Sequence, residues 1–375
     1  MIEALFQPIV LGALRLPHRI IMPALTRMRA DAWGVPGPLA SKYYAQRATA
    51  ALIITEATAI SALAHGYPAM PGIYSPAQIA AWRSVTDAVH ENGGRIALQI
   101  VHHGRWSHSS YNVDGSLPVA PSAIQAPGMA FGPSFNQMPY EVPHALTITE
   151  IGSIVEDFRR AARLAMNAGF DAVEIQGANG FLLDQFLQDG TNQRVDVYGG
   201  SISGRMRFLL EVVDGIVRDL DTDRVGVRLS PHGSLGGLTD SDTETHFRQI
   251  IHALSRRGIA WLHLVEPRAS AIGLGDDASM DRANNAALFR DEFNGPLITA
   301  GGYTVESGAD AVQTQAADAV AFGRMFIANP DLVRRIREGA SLNVFRREKA
   351  YGGGAEGYTD YPSMTGELSL NALSS

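Results

Sequence analysis

Eight short apolar runs, each followed by a stretch with helical periodicity, recur from one end of the chain to the other. The runs are Arg19–Thr26, Ala51–Thr58, Arg95–His102, Phe170–Gly177, Arg224–Ser230, Ile259–Glu266, Pro296–Gly301 and Ala317–Gly323. Each is rich in Val, Ile, Leu or Ala on both faces, as strands buried in a parallel sheet are. The helical stretches have readable starts. Ser75-Pro76-Ala77-Gln78 reads as a capping box with Pro at the first helical position, and Ile79, Trp82, Val85 and Val89 follow on one face. Thr147-Ile148-Thr149-Glu150 is a second box, followed by Ile151, Ile154, Val155, Phe158 and Ala162. Eight alternations predict one closed (β/α)8 TIM barrel, α/β in class, with residues 1–375 as a single domain. The rival is an open doubly wound sheet. It is weakened because no Gly-x-Gly-x-x-Gly follows the first run.

Two segments fall outside the alternation. Residues 5–18 read as a hairpin closing the N-terminal end of the barrel. Residues 103–146 are rich in Pro, Gly and Ser and too long for an ordinary connection. Placed after the third strand, this excursion is expected over the C-terminal mouth, where barrel enzymes do their chemistry. The Gly- and Tyr-rich tail, 340–375, is expected to return to the same mouth. Composition narrows the function. Net charge is −7 with no Lys/Arg block, which argues against nucleic acid or an anionic membrane as partner. Cysteine is absent, so disulfides, thiolate nucleophiles and cysteine-bound iron–sulfur clusters are excluded. No charged n-region precedes an apolar core at the N-terminus, and no apolar run is long enough to span a membrane, so cytoplasmic residence is expected. No metal site is expected.

The strand ends hold the candidate functional residues. The first ends in Met22-Pro23-Ala24-Leu25-Thr26. Gln99 lies among apolar neighbours in the third, and a buried polar side chain there needs a partner. Arg228, in the fifth, is a cation in a buried strand and needs an opposite charge or a strong dipole beside it; a barrel salt bridge is the plain alternative. Ala300-Gly301-Gly302 and Phe322-Gly323-Arg324 end the seventh and eighth. Loops after those two strands form the recurrent phosphate site of such barrels, where glycine lets the backbone approach and Arg can bind bidentately. Gln176 and Asn179 sit at the C-terminal end of the fourth, three residues apart on a strand-to-loop turn, so both side chains can reach one oxygen. Phe181 comes next. His102 and His103 follow the third strand and read first as hydrogen-bonded structural histidines.

The segment Glu174-Ile175-Gln176-Gly177-Ala178-Asn179-Gly180-Phe181-Leu182-Leu183-Asp184-Gln185-Phe186, with Tyr198-Gly199-Gly200-Ser201, resembles the Old Yellow Enzyme family of FMN-dependent ene-reductases. Tyr43-Tyr44-Ala45-Gln46-Arg47, Pro71-Gly72-Ile73, His102-His103-Gly104-Arg105 and Gly357-Tyr358-Thr359-Asp360-Tyr361-Pro362 extend the resemblance over essentially the whole chain. It implies tightly bound, non-covalent FMN, with NADPH or NADH as hydride donor. It implies reduction of activated C=C bonds in α,β-unsaturated carbonyl or nitro compounds. Thr26 would donate to the flavin C4 carbonyl, with Pro23, Ala24, Leu25 and Ala57 beside the ring. Thr there, where another branch carries Cys, also fits the Thr-bearing branch. Gln99 would bond the pyrimidine edge and Arg228 would face N1 and O2. Gly301, Gly302, Gly323 and Arg324 would hold the phosphate.

The reacting side departs from the family pattern. Where this chain has Gln176, Asn179 and Phe181, the family usually has His, His or Asn, and Tyr. In the family the first two hold the substrate oxygen and the Tyr hydroxyl supplies a proton. Val101 stands where many relatives have Trp, which is expected to open the substrate pocket. Tyr67, Tyr351 and Tyr358 are the candidate surrogate donors or pocket walls. The alternatives are an NAD(P)H:quinone, nitro or oxygen reductase, a flavin-binding protein with little turnover, and a cofactor-free lyase or isomerase. The expected partner is a small molecule, and the expected assembly a monomer or homodimer.

Overall fold

A computed structural model describes residues 2–268 and 284–364. The eight apolar runs form eight strands: β1 (Ile20–Met22), β2 (Leu52–Ile54), β3 (Ile96–Val101), β4 (Ala172–Gly177), β5 (Val225–Leu229), β6 (Trp261–Val265), β7 (Leu297–Ala300) and β8 (Ala319–Ala321). Every neighbouring pair is parallel, β8 pairs with β1, and β3 pairs with β4, so the sheet closes into a barrel. All eight strands are buried along their whole length, which explains why their sequences carry no alternation of polar and apolar residues.

Helices cover the outside. Both expected capping boxes form, Ser75 with Gln78 and Thr147 with Glu150, and start the helices Pro76–Glu91 and Ile148–Asn167. A third box, Thr304 with Ser307, starts Val305–Gln313. Trp82, Val85, Val89, Ile151, Phe158 and Ala162 face the core as their spacing predicts. The N-terminal hairpin pairs Ile9–Leu11 with Leu14–Leu16, and Leu11, Leu14 and Leu16 are buried at that end of the barrel.

The excursion is built rather than loose. Met129–Phe131 pairs antiparallel with Gln137–Pro139, and Val119–Ala120 pairs with His144–Ala145. The tail through residue 364 returns to the same end, and residues 365–375 lie outside the described residues. Two arginines after β1 hold it. Arg29 donates to the carbonyls of Lys349, Ala350, Gly354 and Glu356, and Arg27 to those of Ala350 and Gly357. Tyr358 stacks on Tyr43 at 4.2 Å beneath Arg27 and is 1% exposed. Tyr358 is therefore part of this clamp and not of the mouth, with the guanidinium groups of both Arg27 and Arg29 lying over its ring.

Candidate active site

One cavity of about 490 Å³ opens at the C-terminal ends of the strands. Pro23, Ala24, Leu25, Thr26, Ala57, Tyr67, Gln99, Gln176, Asn179, Phe181, Arg228, Gly301, Gly302, Gly323, Arg324 and Tyr351 all line it. Val101 does not: it is fully buried in the main core, and Tyr67, His103 and Phe181 line the cavity instead. A more open depression of about 730 Å³ lies at the opposite end, beside the hairpin at Arg15 and Arg19.

Strand register assembles the polar side of the cavity. Glu174 lies beside Gln99 of β3, and Gln176 lies beside Arg228 of β5. Two residues apart on one strand, Glu174 and Gln176 point to the same face. The Glu174 carboxylate is fully buried and accepts from Gln99 Nε2 (2.8 Å), Trp261 Nε1 (3.0 Å) and His263 Nδ1 (2.9 Å). Burial pushes its pKa up, but the His263 contact, the nearby Arg228 charge and the Trp261 bond outweigh this and hold it below the usual carboxylate range. Glu174 thereby supplies the opposite charge that Arg228 requires, without a direct ion pair between them being formed. Three buried polar atoms on these cavity-lining residues have no protein partner: Gln99 Oε1, Gln176 Oε1 and Arg228 Nε.

A second network shapes the turn after β4. Asn179 has φ 59°, a left-handed conformation that Asn tolerates better than most residues. Its N–H donates to Ser230 Oγ at 2.8 Å. Ser230 Oγ and the Gly180 N–H both donate to Asp184 Oδ2, at 3.2 and 3.0 Å. Burial pushes the Asp184 carboxyl up to about 6 against these donors. Asp184 thus fixes the turn that carries Asn179, and Gln176 and Asn179 meet at one cavity wall.

The glycine clusters lie where the backbone must come close to whatever fills the cavity. Gly301 (φ 118°) and Gly302 (φ 64°) both sit in the left-handed region. A Cβ at Gly323 would lie 3.1 Å from Leu25 Cδ2, so a side chain there would crowd the wall. Arg268 donates to the Gly301 carbonyl at 2.9 Å and lies over the Tyr303 ring. Among the described residues, no group of His, Cys, Asp or Glu could hold a metal ion, and no helix is long and apolar enough to cross a membrane.

A family model described as the NADH:flavin oxidoreductase / NADH oxidase family matches residues 4–343. The chain belongs to this family, that of Old Yellow Enzyme. It is 44% identical over 363 residues to 12-oxophytodienoate reductase 1 of Oryza sativa subsp. japonica, covering 96% of this chain and 93% of the relative. It is 47% identical to morphinone reductase solved in complex with tetrahydroNAD, with a TM-score of 0.90 over 96% of this chain and 97% of that one. The Old Yellow Enzyme homologue from Zymomonas mobilis is 43% identical, with a TM-score of 0.91 over 96% of this chain and 99% of that one. As a member of the family the protein is an FMN-dependent, nicotinamide-driven oxidoreductase of the ene-reductase type.

The Old Yellow Enzyme pattern locates the residues around the cavity but not their supports. Glu174 and Asp184 lie within the motif that carried the resemblance, and neither stood out as a site residue. A carboxylate between Val173 and Ile175 in a buried strand raises the same demand for partners as Arg228 does, so Glu174 was open to detection. Trp106, Tyr140, Leu235 and Phe345 also line the cavity. They come from the excursion, the loop after β5 and the tail, and nothing local in their sequence marks them.

Proposed function

We propose that the cavity holds FMN and that the protein reduces activated C=C bonds of α,β-unsaturated carbonyl or nitro compounds. The observation that carries this is that Gln99, Gln176 and Arg228, each with a buried polar atom lacking a protein partner, line the same cavity as two glycine turns and Arg324. Gln99 and Arg228 would hold the polar edge of the ring, Thr26 its C4 carbonyl, and Gly301, Gly302, Gly323 and Arg324 its phosphate. Pro23, Ala24, Leu25 and Ala57 would pack beside it. When bound, FMN would supply two-electron transfer from the nicotinamide, NADPH or NADH, to the acceptor.

The remaining chemistry belongs to the chain. The amide groups of Gln176 and Asn179 can donate to one acceptor oxygen and polarise the conjugated bond. Phe181 supplies no proton, so the α-carbon takes its proton from water or another residue, or takes it slowly. Tyr67 is a poor surrogate: its hydroxyl donates to the Ala57 carbonyl at 3.2 Å, and burial raises its pKa far above the ordinary range. Tyr351, about 41% exposed, is better read as a wall of the mouth. A second reading, reduction of nitro compounds or quinones, is favoured by the same lack of a hydroxyl at position 181, because those acceptors need no positioned acid.

Purified protein is expected to be yellow, with about one FMN per chain. Arg324→Ala should weaken FMN retention while leaving the bleaching rate of the remaining holoprotein by NADPH nearly unchanged, because a phosphate contact is remote from the reacting ring. A colourless protein that takes up no added FMN would contradict the reading. Normal retention with a collapsed bleaching rate would remove Arg324 from the phosphate site.

A further inference from the structure

His103 follows β3, lines the cavity, and is 1% exposed. Its Nδ1 lies 3.0 Å from the Ala64 carbonyl oxygen. A carbonyl can only accept, so Nδ1 carries the proton. Burial pulls the imidazole pKa down to about 3, so the ring is neutral and Nε2 bears a lone pair. No protein group donates to that Nε2. A Cβ on Gly66 would come within 2.4 Å of its Cγ and Cδ2, so the backbone there backs the ring closely. Its other neighbours are aromatic: Phe181 at 4.4 Å and Tyr67 at 5.0 Å between ring centroids. Phe181 carries no donor, and the Tyr67 hydroxyl is directed to Ala57.

We infer that His103 is a specificity-determining residue that accepts a hydrogen bond from a hydroxyl or N–H group of the bound acceptor molecule. The inference deepens the proposed function and rests on the same cavity being the substrate site. It follows from a division of roles along the wall. Gln176 and Asn179 can donate and so suit a carbonyl or nitro oxygen. His103 Nε2 can only accept and so suits a donor elsewhere on the same molecule. Leaving a buried acceptor unpaired is costly, so a ligand with a matching donor gains over one without it. The same tautomer excludes His103 as the missing acid, because its only N–H is engaged with Ala64. A hydrophobic molecule lacking a donor can still bind, but leaves Nε2 unsatisfied.

The test is equilibrium binding to the oxidised holoprotein, read from the change in FMN absorbance, with a cyclic enone and its ring-hydroxylated counterpart. The wild-type protein should bind the hydroxylated compound about tenfold more tightly, equivalent to ~1.4 kcal/mol. His103→Leu should bring the ratio of the two Kd values close to one. His103→Gln, which keeps an acceptor oxygen, should recover part of it. A ratio near one in the wild type, or a ratio unchanged in a folded His103→Leu protein, would overturn the inference. A His103→Leu protein that loses FMN would be replaced by His103→Phe, which keeps a ring but no acceptor and whose ratio must fall toward one for the assignment to stand. The readout is binding, so failure of the same protein to reduce either enone would count against the functional reading and not against this one.

Discussion

Phe181→Tyr is expected to accelerate reduction of a cyclic enone by about 10²-fold, at the lower end of what general acid catalysis contributes. The hydroxyl would stand on the turn after β4, beside the Gln176 and Asn179 pair, where the α-carbon of a bound enone needs its proton. The gain is placed at the lower end because the buried His103 ring packs against the Phe181 ring and constrains where a new hydroxyl can reach. Bleaching of FMN by NADPH should change by less than about twofold, since that step uses no acid at position 181. A nitroalkene should gain less than the enone, because the nitronate formed from it is stable enough to be protonated by solvent. The measurement is anaerobic stopped-flow with the two steps followed separately. Equal acceleration of every acceptor, or no acceleration with an enone that demonstrably binds, would show that position 181 is not where the proton is delivered.

The second large effect concerns stability. Glu174→Gln should destabilise the protein by about 3–5 kcal/mol, the range for breaking a buried charge arrangement by removing one partner. Both carboxylate oxygens accept from donors on three other side chains. A glutamine would turn its NH2 toward at least one of those donors and would leave the Arg228 charge uncompensated in the barrel. Against a total stability of roughly 5–15 kcal/mol, this change approaches the limit a domain can absorb. Urea unfolding of wild-type and variant proteins freed of FMN measures it. A loss under about 1 kcal/mol would mean that Glu174 is a passenger in the barrel and not the support for Arg228.

The fold was legible because a buried parallel strand leaves an unmistakable trace. All eight runs proved to contain strands, each shorter than the apolar run that marked it, and two capping boxes marked helix starts correctly. The cofactor side was legible for a related reason. Glycine pairs and lone polar residues at strand ends are local features, and the barrel brings every strand end to one mouth. The substrate side was less so. Phe181 and His103 are distant in sequence, and their contact depends on how the turn after β4 packs on the loop after β3. Tyr67, Tyr351 and Tyr358 looked equivalent as loop tyrosines. Only packing separates Tyr358, drawn under Arg27 by the clamp on the tail, from the two that reach the cavity. Val101 was judged by its position in a motif, yet its side chain is sealed in the core.

The most direct test of the account uses the wild-type holoprotein under anaerobic conditions. FMN is first bleached with NADPH, and a cyclic enone, a nitroalkene or a quinone is then added. The account predicts that NADPH bleaches the FMN absorbance and that the nitroalkene restores it quickly. The enone should restore it slowly but completely, with one saturated ketone formed per FMN. Restoration by the quinone alone, with both alkenes left unreduced, would contradict ene reduction as the function of this site.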